Sequence, residues 1–274
     1  MTRPALPMTP ELARRLDGRP FMLLLDIDGT LAPIAPRPDV AIVPAATQRV
    51  LRDLARLPEV HVVAISGRSV EDARRLVGVP ELWTIGNHGF EMAPPSEPPA
   101  VREDVARFAA VVRAAGMRAF KLGEQVPGVV VEDKRWTLSV HYRLASPDAI
   151  PRLADDVHAI ARNFGLVVTH GKKILELRPP VQIDKGSAAV ELATTLAALG
   201  DGTSLLAAGD DSTDEDMFRA LRTRAAACVT IRVGEDASAH ETSAEFRIPD
   251  PAAMRELLEL VLTRRLAVES AAPR

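Results

Sequence analysis

The stretch FMLLLDIDGT, residues 21–30, decides the fold class. Phe21 to Leu25 form a short apolar run that ends in a turn signal, Asp28-Gly29, which is how a strand buried on both faces reads. Outward from it, ATQRVLRDLARL (46–57) carries apolar residues at helical spacing and HVVAI (61–65) is a second strand. SVEDARRLVG (69–78) is a second helix closed by a glycine, and LWTI (82–85) a third strand. Buried apolar strands separated by helices make parallel βαβ units.

The rhythm breaks at APPSEPPA (93–100), whose four prolines can continue neither a helix nor a central strand and read as a linker. Beyond it VREDVARFAAVVRAAG (101–116) is a helix, VVVEDK (129–134) and WTLSVHYRL (136–144) are strands, and PDAIPRLADDVHAIARNFG (147–165) is mostly helix. LVVTH (166–170) and KILELR (173–178) are strands around a His170-Gly171-Lys172 turn. Helix, two strands, helix, two strands is an α+β pattern built on hairpins, unlike its flanks. From about 180 the alternation resumes, with helices at 185–199, 214–222 and 251–266 and strands at 204–209, 226–233 and 245–248. The expectation is an α/β fold, a doubly wound (Rossmann-like) parallel sheet interrupted once by an inserted α+β domain.

Composition narrows the class of function. The 274 residues are 47% apolar, with 34 basic against 37 acidic side chains, ample for a core and too acidic for a phosphate-backbone footprint. Neither nucleic acid nor an anionic membrane surface is an expected partner, and no obligate protein partner is implied. No apolar run approaches the roughly 18 residues of a membrane helix, and the first 18 residues lack the apolar core of a secretory signal. One cysteine, Cys228, allows no internal disulfide and no thiolate metal cluster, so a cytoplasmic location is expected. Twenty-nine arginines stand against five lysines, all between 121 and 185, which singles out a retained lysine as a place where a compact ammonium is wanted. The six histidines show no paired spacing for zinc.

Ligands of parallel sheets bind beyond the carboxyl ends of the strands. There the sequence places Asp26-Ile27-Asp28-Gly29-Thr30, Ser66-Gly67-Arg68, and Asp210-Asp211-Ser212-Thr213-Asp214-Glu215-Asp216, with Lys185-Gly186 opening a helix. Each alone has a bland explanation as a turn, a cap or a first-turn charge. Together they suit phosphoryl transfer, with one aspartate attacking phosphorus and the other handling protons. A carboxylate approaches a phosphate dianion only with help, and a hard divalent cation on Asp26 and the acidic loop, with a lysine, would supply it.

DIDGTL, SGR, KG and GDDSTDED, in this order, resemble the four motifs of the haloacid-dehalogenase (HAD) phosphatase superfamily. More narrowly, GNHGFE (86–91), EDK (132–134), HYR (141–143), ELRP (176–179), DKG (184–186) and GDDSTDED (209–216) resemble the trehalose-6-phosphate phosphatase family. The resemblance implies a core of 1–95 and 180–274 with a cap of 96–179. It makes Asp26 the nucleophile and Asp28 the acid and then the base. Magnesium would sit on Asp26, the Asp28 main-chain carbonyl and Asp210, with Asp214 near. Ser66, Gly67 and Lys185 would hold the phosphoryl oxygens, with Gly29 and Thr30 donating from the turn. In the cap, Glu132, Lys134 and Glu176 would bind glucose hydroxyls, supported by Arg68, Asn87, His88 and Arg143.

The implied reaction is magnesium-dependent hydrolysis of trehalose 6-phosphate, a step of trehalose biosynthesis. Alternatives are a relative acting on another sugar phosphate, such as sucrose 6-phosphate or a glycosyl-phosphoglycerate, and a non-catalytic sugar-phosphate sensor. Ile27 stands where this family often has an aromatic. With about 20 residues before the first strand, no sugar-transferase domain is expected, and the enzyme would act alone.

Overall fold

A computed structural model describes residues 5–171, 173–225, 227–234 and 242–271. The chain divides into two compact units, Met1–Pro99 with Ile183–Arg274, and Ala100–Gln182.

The first unit is organised by β1 (Phe21–Leu25), which pairs in parallel with β2 (Val60–Ile65) on one side and β10 (Ser204–Gly209) on the other. β3 (Trp83–Gly86) joins β2, and β11 (Cys228–Val233) and β12 (Phe246–Ile248) extend the sheet beyond β10, all in parallel. β4 (Glu91–Ala93) runs antiparallel to β3, giving the order β12-β11-β10-β1-β2-β3-β4 within this unit. β4 and, in the second unit, the short β5 (Ala100–Val101) bracket the proline-rich stretch, which was expected only as a linker. Prolines 94, 95, 98 and 99 interrupt strand pairing, and the residues on either side are free to add edge strands.

Period-2 alternation along β1 sorts its side chains between two layers of helices. Phe21, Leu23 and Leu25 pack with α2 (Ala45–Ala55), α3 (Val70–Val77) and α9 (Pro251–Ala271), following the short α1 (Pro10–Arg15). Met22 and Leu24 pack on the opposite face with α7 (Lys185–Thr195) and α8 (Ser212–Arg222). Helices on both faces of a largely parallel sheet are the doubly wound arrangement. Gly78 closes α3 in the left-handed conformation, φ 65°, as the glycine at that position signalled.

The second unit is a four-stranded antiparallel sheet, order β6-β7-β9-β8, from β6 (Val130–Asp133), β7 (Leu138–His141), β8 (Val167–Gly171) and β9 (Ile174–Arg178). α4 (Glu103–Ala106), α5 (Ala109–Gln125) and α6 (Ile150–Phe164) complete it. Val112, Ala115, Leu153 and Val157 of the long helices bury Leu138, Val140, Leu175 and Leu177 of the sheet. α5 runs past Gly116, where the sequence suggested an end, because Ala119 continues its buried stripe one turn further. Of the expected β8–β9 turn, Lys172 lies outside the described residues.

Candidate active site

β10, β1 and β2 are adjacent, so the residues that follow them share one edge of the sheet. Asp26 continues the β1–β10 ladder, its N–H donating to the Ala208 carbonyl at 3.0 Å. The chain then turns sharply, with the N–H groups of Leu31 and Ala32 both reaching the Ile27 carbonyl, at 2.9 and 2.8 Å. Gly29 sits in this turn at φ 89°, and a Cβ there would lie 2.3 Å from Asp210 Cγ, so both conformation and space require glycine. Its N–H donates to the Ala32 carbonyl at 2.7 Å. The Thr30 hydroxyl is buried with no hydrogen-bond partner among the described residues.

Lys185 is brought to the same edge by the start of α7. Asp184 caps that helix, accepting from Ser187 N at 2.7 Å while its own N–H donates to Ser187 Oγ at 3.0 Å. The Lys185 side chain is 1% exposed and its Nζ donates to Asp26 Oδ1 at 2.7 Å and Asp214 Oδ1 at 2.8 Å. Asp211 is the N-cap of α8, accepting from Thr213 N at 2.8 Å and Asp214 N at 3.2 Å. Asp214 Oδ2 in turn accepts from the N–H groups of Asp210 and Asp211, at 2.9 and 3.0 Å. Arg232 Nη1 steadies the loop by donating to the Asp211 carbonyl at 2.8 Å.

This cluster holds more acid than base in a dry place. Burial disfavours the charged Asp26 carboxylate and raises its pKa well above the ordinary range, with Asp214, Asp210 and Asp211 adding repulsion against the pull of Lys185. Burial and the charges of Asp211 and Asp214 push Asp210 up to about 7, and burial pushes Asp214 up to about 6. Burial also opposes the charge on Lys185, but Asp214 and Asp26 more than offset it and hold its pKa well above normal. Asp211 goes the other way: despite burial, Lys185 and the bond from Thr213 hold it well below the usual range.

Asp26, Asp210 and Asp214 each offer a carboxylate oxygen, all within 4.8 Å of one another. An all-oxygen, acid-rich set that Lys185 only partly neutralises fits a hard divalent cation. The electrostatics predict a test. Carboxyls whose folded pKa is raised bind protons that the unfolded chain has lost, so stability is present below about pH 4 and is lost as pH climbs through the folded values. With Asp214 at about 6 and Asp210 at about 7, chelator-treated protein should therefore have a higher Tm at pH 5 than at pH 8. The slope is up to about 1.4 kcal/mol per pH unit for each group. Asp211, already depressed, contributes no slope in this window, and half-buried His61, whose pKa burial lowers, opposes the trend in part. An added hard divalent cation should raise Tm more at pH 8 than at pH 5, since protons compete with it at the lower pH. A Tm in chelator that rises from pH 5 to pH 8 contradicts this account.

Asp28 is held apart from the cluster by Arg68. The guanidinium donates from Nε to Asp28 Oδ2 at 2.6 Å and from Nη2 to Oδ1 at 2.8 Å, a bidentate fork. Its other N–H groups reach Asp72 Oδ2 at 2.5 Å and the Pro38 carbonyl at 3.1 Å. Ser66 is buried after β2, accepting from Arg68 N at 3.2 Å. Asn87 and His88 both adopt left-handed backbone, φ 49° and 55°. Bonds from Asn87 N to the Arg68 carbonyl, 2.7 Å, and from His88 N to the Ser66 carbonyl, 3.0 Å, hold that unusual turn. The buried Asn87 amide donates to Glu91, and the His88 ring lies over Gly67, where a Cβ would come within 2.4 Å of Nε2.

The remaining expected site residues belong to the second unit. Glu132 lies on β6 and Glu176 on β9, and Lys134 Nζ donates to Glu176 Oε1 at 3.2 Å. Arg143 is exposed in the turn after β7.

Residues 24–252 match the family model for trehalose-phosphatase. The chain belongs to the trehalose-phosphatase family. It is 39% identical over 248 residues to the trehalose-phosphate phosphatase of Mycobacterium avium (strain 104), covering 89% of this chain and 62% of that protein. It thus spans about three-fifths of that relative's length. Among solved structures it resembles a trehalose-6-phosphate phosphatase related protein, with a TM-score of 0.78 at 28% identity, over 91% of this chain and 99% of that one. It also resembles the C-terminal domain of the C. albicans trehalose-6-phosphate phosphatase, with a TM-score of 0.77 at 25% identity, over 96% and 98%.

Several partners in this trehalose-phosphatase family member escaped the reading of its sequence. Asp72 and the Pro38 carbonyl on Arg68, and Arg232 behind Asp211, were not singled out, and Glu91 under Asn87 entered only as the last residue of GNHGFE. Asp72 alone had a local signal, standing four residues beyond Arg68 in the first turn of α3.

Proposed function

We propose that this chain is a magnesium-dependent phosphomonoesterase that hydrolyses trehalose 6-phosphate to trehalose and phosphate in trehalose biosynthesis. The observation that carries the reading is the meeting of Asp26, Lys185, Asp210 and Asp214 where β1 and β10 end. Family membership selects the substrate. We read 1–95 with 180–274 as the catalytic core and 96–179 as the cap, acting in the cytoplasm on a small sugar phosphate. No nucleic-acid, membrane or obligate protein partner is invoked, and none of the described helices is long and apolar enough to span a membrane.

In this reading an Asp26 oxygen attacks phosphorus as the bond from phosphorus to the sugar oxygen breaks, and Asp28 gives that oxygen its proton. Asp28 then takes a proton from water, whose oxygen attacks phosphorus and frees Asp26. Asp26, Asp210 and Asp214, with the Asp28 main-chain carbonyl, would hold magnesium, which offsets the repulsion between carboxylate and phosphate. Lys185 orients Asp26 and places positive charge beside the phosphoryl group. The buried Thr30 hydroxyl, Ser66 and Gly67 would surround the phosphoryl oxygens, while Gly29 lets the Asp210 carboxylate approach the turn. Arg68 orients Asp28 and releases one of its two oxygens for that oxygen to carry the proton, while Asn87 and His88 shape the adjoining wall.

Phosphate release from trehalose 6-phosphate, sucrose 6-phosphate, a glycosyl-phosphoglycerate and a small aryl phosphate, with magnesium or with excess chelator, tests the proposal. Trehalose 6-phosphate should be the best substrate and chelation should stop turnover. Full activity in chelator, or a preference for another sugar phosphate, overturns it. Recognition of the second glucose is assigned to Glu132, Lys134 and Glu176, supported by Arg143. Charged hydrogen bonds to hydroxyls contribute about 1.5 to 3 kcal/mol each, so each alanine variant should lose roughly tenfold to a hundredfold in kcat/KM for trehalose 6-phosphate. Aryl phosphate hydrolysis, which uses no such contact, should hardly change. Equal losses on both substrates would assign these side chains to folding instead.

A further inference from the structure

The polar face of the second unit's sheet carries an arrangement that none of these assignments explains. Glu132 of β6, Ser139 of β7 and Glu176 of β9 are in register, so the two carboxylates occupy one row with a strand between them. Thr137 and His141 flank Ser139 at period 2 and therefore share its face, opposite the one that Leu138 and Val140 bury against α5 and α6. Each carboxylate is gripped from this middle strand or its hairpin. His141 Nε2 donates to Glu132 Oε2 at 2.9 Å. The Thr137 hydroxyl, fully buried, donates to Glu176 Oε1 at 3.2 Å, the same oxygen that Lys134 reaches.

A glutamate on a strand has three rotatable bonds, and a carboxylate that must accept from a sugar hydroxyl binds more tightly if those bonds are already set. We propose that His141 and Thr137 are positioning residues for sugar recognition, holding the Glu132 and Glu176 carboxylates in the orientation that meets the hydroxyls of the sugar. The inference rests on the reading of the chain as a sugar phosphatase. Neither residue needs to touch the sugar itself. Thr137 is suited to the task because its β-branched side chain is restricted at χ1 and fully buried, where water does not compete. His141 is suited because a ring nitrogen donates to Glu132 and the side chain has only two rotatable bonds to set.

The test measures kcat and KM for trehalose 6-phosphate and for a small aryl phosphate, with magnesium, in His141→Phe, His141→Gln, Thr137→Val and Thr137→Ser. His141→Phe and Thr137→Val should each lower kcat/KM for trehalose 6-phosphate about tenfold, chiefly through KM, and leave the aryl phosphate within about twofold. His141→Gln and Thr137→Ser, which keep a donor, should recover most of the loss. In a Glu132→Ala background His141→Phe should add less than about twofold, because its route to the sugar is already gone. Should His141→Phe or Thr137→Val fail to fold, the two conservative variants against His141→Ala and Thr137→Ala carry the same comparison. Equal losses on both substrates, undiminished sugar-phosphate activity, or full additivity with Glu132→Ala each overturn the inference. A wild-type protein that prefers no sugar phosphate over the aryl ester overturns the parent reading and this inference together, whereas an active wild type with unaffected variants overturns the inference alone.

Discussion

Asp26→Asn should lower kcat for trehalose 6-phosphate on the order of ten-thousandfold or more in a protein that still folds. The amide is nearly isosteric with the carboxylate and keeps an oxygen to accept from Lys185 Nζ, now 2.7 Å away. What it lacks is nucleophilicity, and it is a poorer ligand for a cation. Burial already makes the Asp26 charge unfavourable, so in chelator the neutral side chain should leave Tm unchanged or raise it. Loss of activity without loss of stability separates a nucleophile from a structural carboxylate. Rapid quenching should trap phosphate on wild-type protein and none on the variant. Asp28→Asn should instead slow turnover by roughly a hundredfold or more, the size of a lost proton transfer. A folded Asp26→Asn protein with near-normal rates would require a different attacking group.

Lys185→Met should harm both stability and rate. The side chain is replaced by one of similar length, but Asp26 and Asp214, 6% and 0% exposed, are left without the cation between them. Stranding buried carboxylates costs about 3 to 5 kcal/mol, which corresponds to a drop in Tm on the order of 10 °C. Loss of a preorganised donor beside the reacting group should add a fall in kcat of roughly a hundredfold to a thousandfold. Magnesium should restore part of the lost Tm at pH 8, because it supplies positive charge to the same carboxylates, without restoring the rate. Lys185→Arg should not rescue, since a planar fork cannot replace a compact ammonium donating to two oxygens at 2.7 and 2.8 Å. Thermal melting and phosphate release decide the matter, and an unchanged Tm with an unchanged rate would remove Lys185 from both roles.

The residues that the sequence alone brought together were those governed by local rules. Apolar runs such as Phe21–Leu25 and Ser204–Gly209 announce buried strands, and turn and cap chemistry marks where each ends. Because parallel strands share one carboxyl edge, knowing those ends was enough to expect Asp26, Ser66 and Asp210 at a common edge, with Lys185 nearby. Tertiary structure alone decided who holds whom. That Lys185 reaches Asp26 across 159 residues, that Arg68 reaches Asp28 across 40, and that Thr137 reaches Glu176 across 39 follows from strand order and register. Periodicity gives the face of a strand but not its neighbour, so no local pattern contains these pairings. The same limit explains the short strand at 91–93, which exists only because β3 offered an edge to receive it. The raised carboxyls of Asp26, Asp210 and Asp214 are likewise a product of burial, which depends on every element packed around the site at once.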